Sequence, residues 1–170
     1  MDTFESVRTV LAVRAFRGDP LPADAVHKIL EAGRLTASSM NRQPWHFVAV
    51  EDREMLKRIG AAAKTGPYIA QAPLAVVVAI EKKSPYAVSD ASRAIQSMIL
   101  TAWAEGIGSN WVGFMGLDAL RPLLGIPETL DVLAVLPFGH PAESKSGAKK
   151  NRKPLAEVAH RELFSRPFAG

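Results

Sequence analysis

An uninterrupted apolar run from Pro73 to Ile80 (PLAVVVAI) restricts the possible folds more than any other segment of the chain. The run is too short for a buried helix and is rich in valine, which favours a strand. Because it offers no polar face, a strand here must be covered by other elements on both sides. The run therefore predicts a central strand in a layered fold.

The segment from Ser89 to Glu105 predicts a helix that is apolar on nearly every side. Its apolar residues leave hardly any polar face; they are Ala91, Ala94, Ile95, Met98, Ile99, Ala102 and Trp103. A helix of this kind belongs in the interior of a protein. Since a chain of 170 residues can hide such a helix only in part, we expect a homodimer that covers the remainder.

Local patterns place the other elements around this strand and helix. Helices are predicted at Thr3 to Leu11, at Ala25 to Gly33 after Asp24 as N-cap, from Asp52 to about Ala63, at Leu117 to Leu124 before Gly125, and from Pro154 onwards. Strands are predicted at Trp45 to Val50, Asn110 to Phe114 and Leu130 to Phe138. With no internal repeat or domain boundary, the pattern predicts one domain over residues 1–170, of the α/β or α+β class.

Positive charge is concentrated in one short stretch. Between Pro141 and Lys153 lie five cations and one anion, an excess that equals the net charge of +4 of the whole chain. A solvated loop, a phosphate site and a nucleic-acid contact are all compatible with such a run. The stretch has no aromatic residue on which a base could stack, and the rest of the chain is neutral, so nucleic-acid binding is not expected.

Composition excludes several kinds of catalytic site. The chain has no cysteine, so thiolate metal sites and thiol nucleophiles are impossible. The four histidines lack metal-ligand spacing, and neither Ser38 nor Ser39 lies in the Gly-x-Ser-x-Gly pattern of a serine hydrolase. Gly106 and Gly108 follow a helix and precede a strand, the reverse of a dinucleotide-binding loop, so Gly106 is interpreted as a helix C-cap. We expect no metal, and we infer that other side chains or a bound cofactor carry the chemistry.

Two features indicate the compartment. The N-terminal residues MDTFES carry Asp2 and Glu5 where a signal peptide has positive charge and then an apolar stretch. The longest apolar run, Pro73 to Ile80, is far shorter than the ~20 residues that cross a bilayer. We expect a soluble cytoplasmic protein without a membrane partner.

Four short motifs occur in a particular order along the chain. They are Val13-Arg14-Ala15-Phe16, Ser38 to Phe47 (SSMNRQPWHF), Gly106 to Phe114 (GIGSNWVGF) and Lys150 to Leu155 (KNRKPL). In this order and at this spacing they resemble the FMN-dependent nitroreductase family, as a short-chain member, from Phe4 to about Val158. The Ser-Ser-x-Asn-x-Gln-Pro-Trp run is the most specific of the four.

The resemblance implies a fold and an activity. The fold would be an α+β three-layer sandwich, with a mostly antiparallel sheet, helices on both faces and the Ser89 to Glu105 helix at its centre. Two FMN sites would lie at the interface of a homodimer. NAD(P)H would reduce the flavin, leave, and be replaced by a nitroaromatic, a quinone or a similar acceptor in a ping-pong cycle, with no catalytic side chain. Flavin storage or dehalogenation on the same fold is the alternative.

The resemblance also assigns cofactor contacts. Arg14 would face the pyrimidine edge of the flavin, and a polar loop from the partner subunit, residues 38–43, would close over it. The turn at residues 112–114 would direct backbone N–H groups at N5 and O4, and the basic stretch would hold the phosphate. The implied cofactor-binding residues are Ala12, Arg14, Ser38, Ser39, Asn41, Gln43, Val112, Gly113, Phe114, Lys150 and Arg152.

One motif departs from the family pattern. Where the family commonly has Arg-Arg-Ser before the Val-Arg pair, this chain has Val10-Leu11-Ala12, so a phosphate cation and a hydroxyl are missing. Arg8, two residues before Val10, is expected to point to roughly the opposite side of a helix. Lys150 and Arg152 would then carry most of the phosphate binding, and FMN should be held less tightly and be released by salt.

Overall fold

The computed structural model describes residues 1–113, 115–143 and 150–168. Its strands are β1 (Trp45–Val50), β2 (Leu74–Glu81), β3 (Gly108–Ser109) and β4 (Leu130–Gly139). Its helices are α1 (Thr3–Thr9), α2 (Ala23–Arg34), α3 (Arg53–Ala62), α4 (Ala87–Ala104), α5 (Leu120–Leu124) and α6 (Leu155–Val158). Over these residues, no helix combines the length and the apolar character that spanning a membrane requires.

The predicted central strand is confirmed as β2. The sheet order is β1-β2-β4-β3, and each neighbouring pair is antiparallel. Leu74, Val76 and Val78 pack against a layer that contains α2 and α4, whereas Ala75 and Val77 pack against a layer that contains α3 and α5. Successive side chains of a strand point to opposite faces, so a strand covered on both sides is apolar throughout. The result is the α+β three-layer sandwich that was predicted.

The predicted Ser89 to Glu105 helix is confirmed as α4, which covers the sheet on one face only. Its buried side chains lie along the stripe that faces the sheet: Ala91, Ala94, Ile95, Met98 and Ala102. At about 100° per residue, Leu100 lies on the opposite side of the helix. It is half-buried beside α1, while neighbouring Gln96 is exposed. A second face of α4 is therefore only partly covered within one chain.

The predicted strand from Asn110 to Phe114 is wrong. β3 comprises only Gly108 and Ser109, Val112 forms an isolated bridge with Val135, and Phe114 lies outside the described residues. The Val13 N–H donates to the Ser109 carbonyl oxygen at 2.8 Å, so the segment that contains Val13 takes the outer edge of β3. Among residues 110–113, Val112 is buried and meets β4 only through its isolated bridge, so no continuous strand forms there.

Local chemistry explains most of the helix boundaries. Asp52 caps α3 as predicted, because its carboxylate accepts the Met55 N–H at 2.8 Å. Gly106 and Gly125 end α4 and α5 with φ of 76° and 64°, the left-handed values that glycine adopts without strain. Asp24 is not an N-cap: α2 begins at Ala23 after Pro22, and Asp24 lies in its first turn, where a carboxylate faces the positive end of the helix dipole.

Candidate functional site

Arg14 lies on an extended segment beside the edge of the sheet. Hydrogen bonds from Val13 N–H to Ser109 (2.8 Å), from Arg17 N–H to His140 (2.9 Å) and from Ala142 N–H to Ala15 (3.0 Å) hold this segment in place. Val13 and Phe16 are buried, whereas Ala12 and Arg14 are exposed. Within the described part of the chain Arg14 forms no ion pair. Arg14 is thus an exposed cation on a backbone that hydrogen bonds hold in place.

The turn at residues 112 and 113 is held from two sides. Val112 exchanges two backbone hydrogen bonds with Val135, both at 2.9 Å, and Thr65 Oγ1 donates to the Gly113 carbonyl oxygen at 3.0 Å. A Cβ on Gly66 would lie 2.6 Å from a Val112 methyl group, so a glycine is required for this close approach. Both predicted positions, Val112 and Gly113, are therefore buried and rigidly placed.

Three residues at this turn were not identified from the sequence. Asn110 donates to the Tyr68 hydroxyl, and Thr65 binds the turn from the loop that follows α3. The local sequence of this loop, Gly66-Pro67, indicates a break after α3 and carries no signal of a contact with the turn. The Asn110–Tyr68 contact joins residues that are 42 positions apart, so no local pattern could indicate it.

The polar loop at residues 38–43 has an unusual backbone. Met40, Asn41 and Gln43 have φ of 51°, 53° and 51°, left-handed values that cost free energy in residues other than glycine. Ser38 Oγ accepts the Gln43 N–H at 2.9 Å, and the Gln43 amide donates to the Asn41 side chain at 3.2 Å. A strained loop that is stabilised by its own polar side chains is typical of a ligand-binding segment.

Asp90 anchors this loop to α4. Its carboxylate is only 1% exposed, accepts the Ser39 N–H at 3.0 Å and is paired with Arg93. Asp90 lies in the first turn of α4, where the helix dipole also stabilises a negative charge. Sequence reasoning missed Asp90 because it treated the helix by its apolar pattern alone.

One chain does not bring the two halves of the implied site together. The loop at residues 38–43 is bonded to Asp90 near the start of α4, whereas Arg14 lies beside Ser109, after the end of the same helix. Asp90 and Ala102 alone are separated by about 18 Å along the helix axis at 1.5 Å per residue. The polar loop and Arg14 therefore belong to opposite ends of α4.

Lys150 lies at the end of α1, and Arg152 follows it by two residues in the chain. Lys150 Nζ donates to the Val7 carbonyl oxygen in the last turn of this helix at 2.6 Å. Burial lowers the pKa of Lys150, and the nearby charges of Arg152 and Arg8 lower it further. α1 ends at Thr9, and Val10 has a non-helical ψ of 131°. Arg8 and residues 10–12 therefore do not lie on one helix, so the expectation that Arg8 points to the opposite side does not apply. Lys145 and Lys149 lie outside the described residues.

Comparisons with known proteins agree with this fold. A family model described as Nitroreductase family matches residues 8–81 and 64–140. A protein of Archaeoglobus fulgidus named "Putative NADH dehydrogenase/NAD(P)H nitroreductase" is 35% identical over an alignment of 172 positions with gaps. The alignment covers 96% of this chain and 99% of that protein. The "FMN reductase [NAD(P)H]" of Bacillus subtilis is 26% identical over 96% of this chain and 74% of its own length. A crystal structure from Bacteroides thetaiotaomicron, also named "Putative NADH dehydrogenase/NAD(P)H nitroreductase", superposes with a TM-score of 0.87 at 26% identity, covering 95% of this chain and 98% of that one.

Proposed function

This chain belongs to the nitroreductase family, and from that premise we propose that it binds FMN and uses NAD(P)H to reduce nitroaromatic, quinone or similar acceptors. The single observation that carries the proposal is that an exposed Arg14 follows, a few residues along the chain, a cluster of cations at the end of α1 that contains Arg8 and Lys150. Arg8 and Arg14 are six positions apart in the sequence, a separation that spans at most about 20 Å of extended chain. That arrangement suits an elongated ligand with a phosphate at one end and an electron-accepting ring at the other.

The donor set fits FMN. Lys150 and Arg152 provide charged donors for a phosphate, and their mutual repulsion, which contributes to the lowered pKa of Lys150, is relieved by an anion. Ser38, Asn41 and Gln43 provide hydroxyl and amide groups for a polar, uncharged part of the ligand. The turn at Val112 and Gly113 is buried and rigid, and because the Val112 N–H already donates to Val135, the turn supports the site and Val112 does not make the expected donation to the flavin.

The protein places the cofactor, and the bound flavin supplies the redox chemistry, hydride uptake from NAD(P)H and electron delivery to the acceptor. Arg14 stabilises negative charge that develops near its guanidinium, because it is oriented before the reaction by the backbone bonds of Val13 and Ala15. The loop at residues 38–43 restricts access to the site. Neither role requires a nucleophilic side chain.

We further propose that the site is completed in a homodimer. The polar loop lies at one end of α4 and Arg14 at the other, so a second copy with an antiparallel α4 would bring its loop to the Arg14 of the first. The partly covered face of α4 adjoins α1, where Phe4 is 75% exposed. Apolar side chains of this size at the surface favour burial against a partner.

The proposed function is tested by the absorption spectrum of the purified protein. We expect flavin bands, release of FMN on denaturation, and bleaching of the bound flavin by NADH or NADPH under anaerobic conditions. A flavin that NAD(P)H does not bleach would favour storage or dehalogenation on the same fold. A protein that neither contains nor binds flavin would contradict the proposal.

The kinetics provide a second test. Since one flavin site must serve donor and acceptor in turn, we expect ping-pong behaviour. Initial rates measured against NAD(P)H at several fixed acceptor concentrations should give parallel double-reciprocal lines. Intersecting lines would show a ternary complex, and with it a separate binding site for one of the two substrates.

A further inference from the structure

Two distant segments bring Arg8 and Lys150 together at the end of α1, and Arg152 follows Lys150 by two residues in the chain. The 2.6 Å bond from Lys150 Nζ to the Val7 carbonyl oxygen places residue 150 against the helical turn that carries Arg8, and Arg152 follows two residues later. Burial lowers the pKa of Lys150, and the charges of Arg152 and Arg8 lower it further, in keeping with the position of Lys150 against the turn that carries Arg8. The negative end of the α1 dipole attracts cations, but three cations together are best balanced by a dianion.

Arg8 already has one anionic partner. Its Nε and Nη2 atoms donate to the two carboxylate oxygens of Glu5, both at 2.7 Å. Among the ion pairs of the described residues, this is the only one that involves Arg8, Lys150 or Arg152. Glu5 and Arg8 are both substantially exposed, so the pair is accessible to a ligand and screened by solvent.

The backbone that carries Arg8 is rigid. Trp103 Nε1 on α4 donates to Thr9 Oγ1 at 2.9 Å, and Thr9 Oγ1 donates in turn to the Glu5 carbonyl oxygen at 2.7 Å. Ser6, which lies on the opposite side of the helix from Arg8, is buried. Arg8 therefore projects from a helix that is fixed to the core, which lowers the entropic cost of binding a ligand there.

We propose that Arg8 is the third phosphate-binding cation of this chain, replacing the cation absent at residues 10–12, and that Glu5 competes with the phosphate for its guanidinium. The inference rests on the proposed binding of FMN. The sequence Val10-Leu11-Ala12 led to the expectation that FMN binds weakly because a phosphate cation is missing. In this proposal the third cation is present, and the ion pair of Arg8 with Glu5 lowers the affinity for phosphate.

The test is a fluorescence titration of the full chain, freed of flavin, with FMN and separately with riboflavin, which has no phosphate. At low salt, Arg8→Ala should raise the Kd for FMN about tenfold and leave that for riboflavin unchanged. Glu5→Gln should lower the Kd for FMN by about threefold. Both differences should largely disappear at 1 M salt, where the Debye length is about 3 Å.

A control pair is available on α3. Lys57 Nζ donates to Glu54 at 2.6 Å with the same three-residue spacing, and both side chains are exposed. Lys57→Ala and Glu54→Gln should leave both affinities unchanged. Equal FMN binding by Arg8→Ala and the parent would overturn the inference, as would an equal loss of FMN and riboflavin. If the parent bound neither flavin, the proposed function itself would be contradicted.

Discussion

A single charged residue on the outer side of α4 should convert the protein into a monomer that has lost its flavin. Leu100 lies opposite the buried stripe of the helix and is half-buried within one chain. In a two-fold dimer the substitution Leu100→Glu would place two carboxylates in the same interface. Like charges brought together at an interface cost several kcal/mol, so the Kd of the dimer should rise at least about 100-fold.

Sedimentation velocity at micromolar concentration measures this effect. The parent should sediment at about twice the chain mass of 18.4 kDa, and the variant at the mass of a single chain. Ala61→Glu is the matched control, because Ala61 is exposed on α3, on the other side of the sheet. A variant that remained dimeric would place the interface elsewhere. A monomer with the flavin affinity of the parent would contradict the placement of the loop at residues 38–43 in the partner's site.

Removing the Asp90 carboxylate should destabilise the protein and weaken FMN binding together. Asp90→Ala leaves the Ser39 N–H without its acceptor, a loss worth roughly 2 kcal/mol for a part-buried donor. For a chain of this size, that loss corresponds to a fall of about 4–8 °C in Tm. The loop would also be free to leave its left-handed conformations, so FMN affinity should fall at least about tenfold.

The conservative variant separates hydrogen bonding from charge. Asp90→Asn keeps an oxygen that can accept the Ser39 N–H, so it should retain most of the FMN affinity of the parent. Thermal unfolding of each variant at fixed protein concentration, with and without FMN, measures both effects. If Asp90→Ala lost stability but bound FMN normally, the loop at residues 38–43 would have no part in the site.

Features encoded by adjacent residues were predicted correctly. The apolar run at Pro73 to Ile80 specified β2, the carboxylate of Asp52 specified the start of α3, and Gly106 specified the end of α4. Each depends on periodicity, capping or backbone freedom within a few residues, and these act in the same way wherever the segment lies. The family motifs likewise assigned Arg14 and the loop at residues 38–43 to a cofactor site without reference to packing, and that assignment stays a prediction.

Contacts between distant residues depended on how the elements pack. Asp90 and Ser39 are 51 positions apart, and Lys150 lies 143 positions from the carbonyl group of Val7 that it binds. The same applies to the failure of the predicted strand at Asn110, because in residues 110–113 only Val112 meets β4, in an isolated bridge with Val135, 23 positions away. Periodicity describes which face of an element is apolar but not which element covers that face. The packing of α1 therefore decides that Arg8 lies beside Lys150. The packing of α4 decides that Arg14 is far from residues 38–43 within one chain.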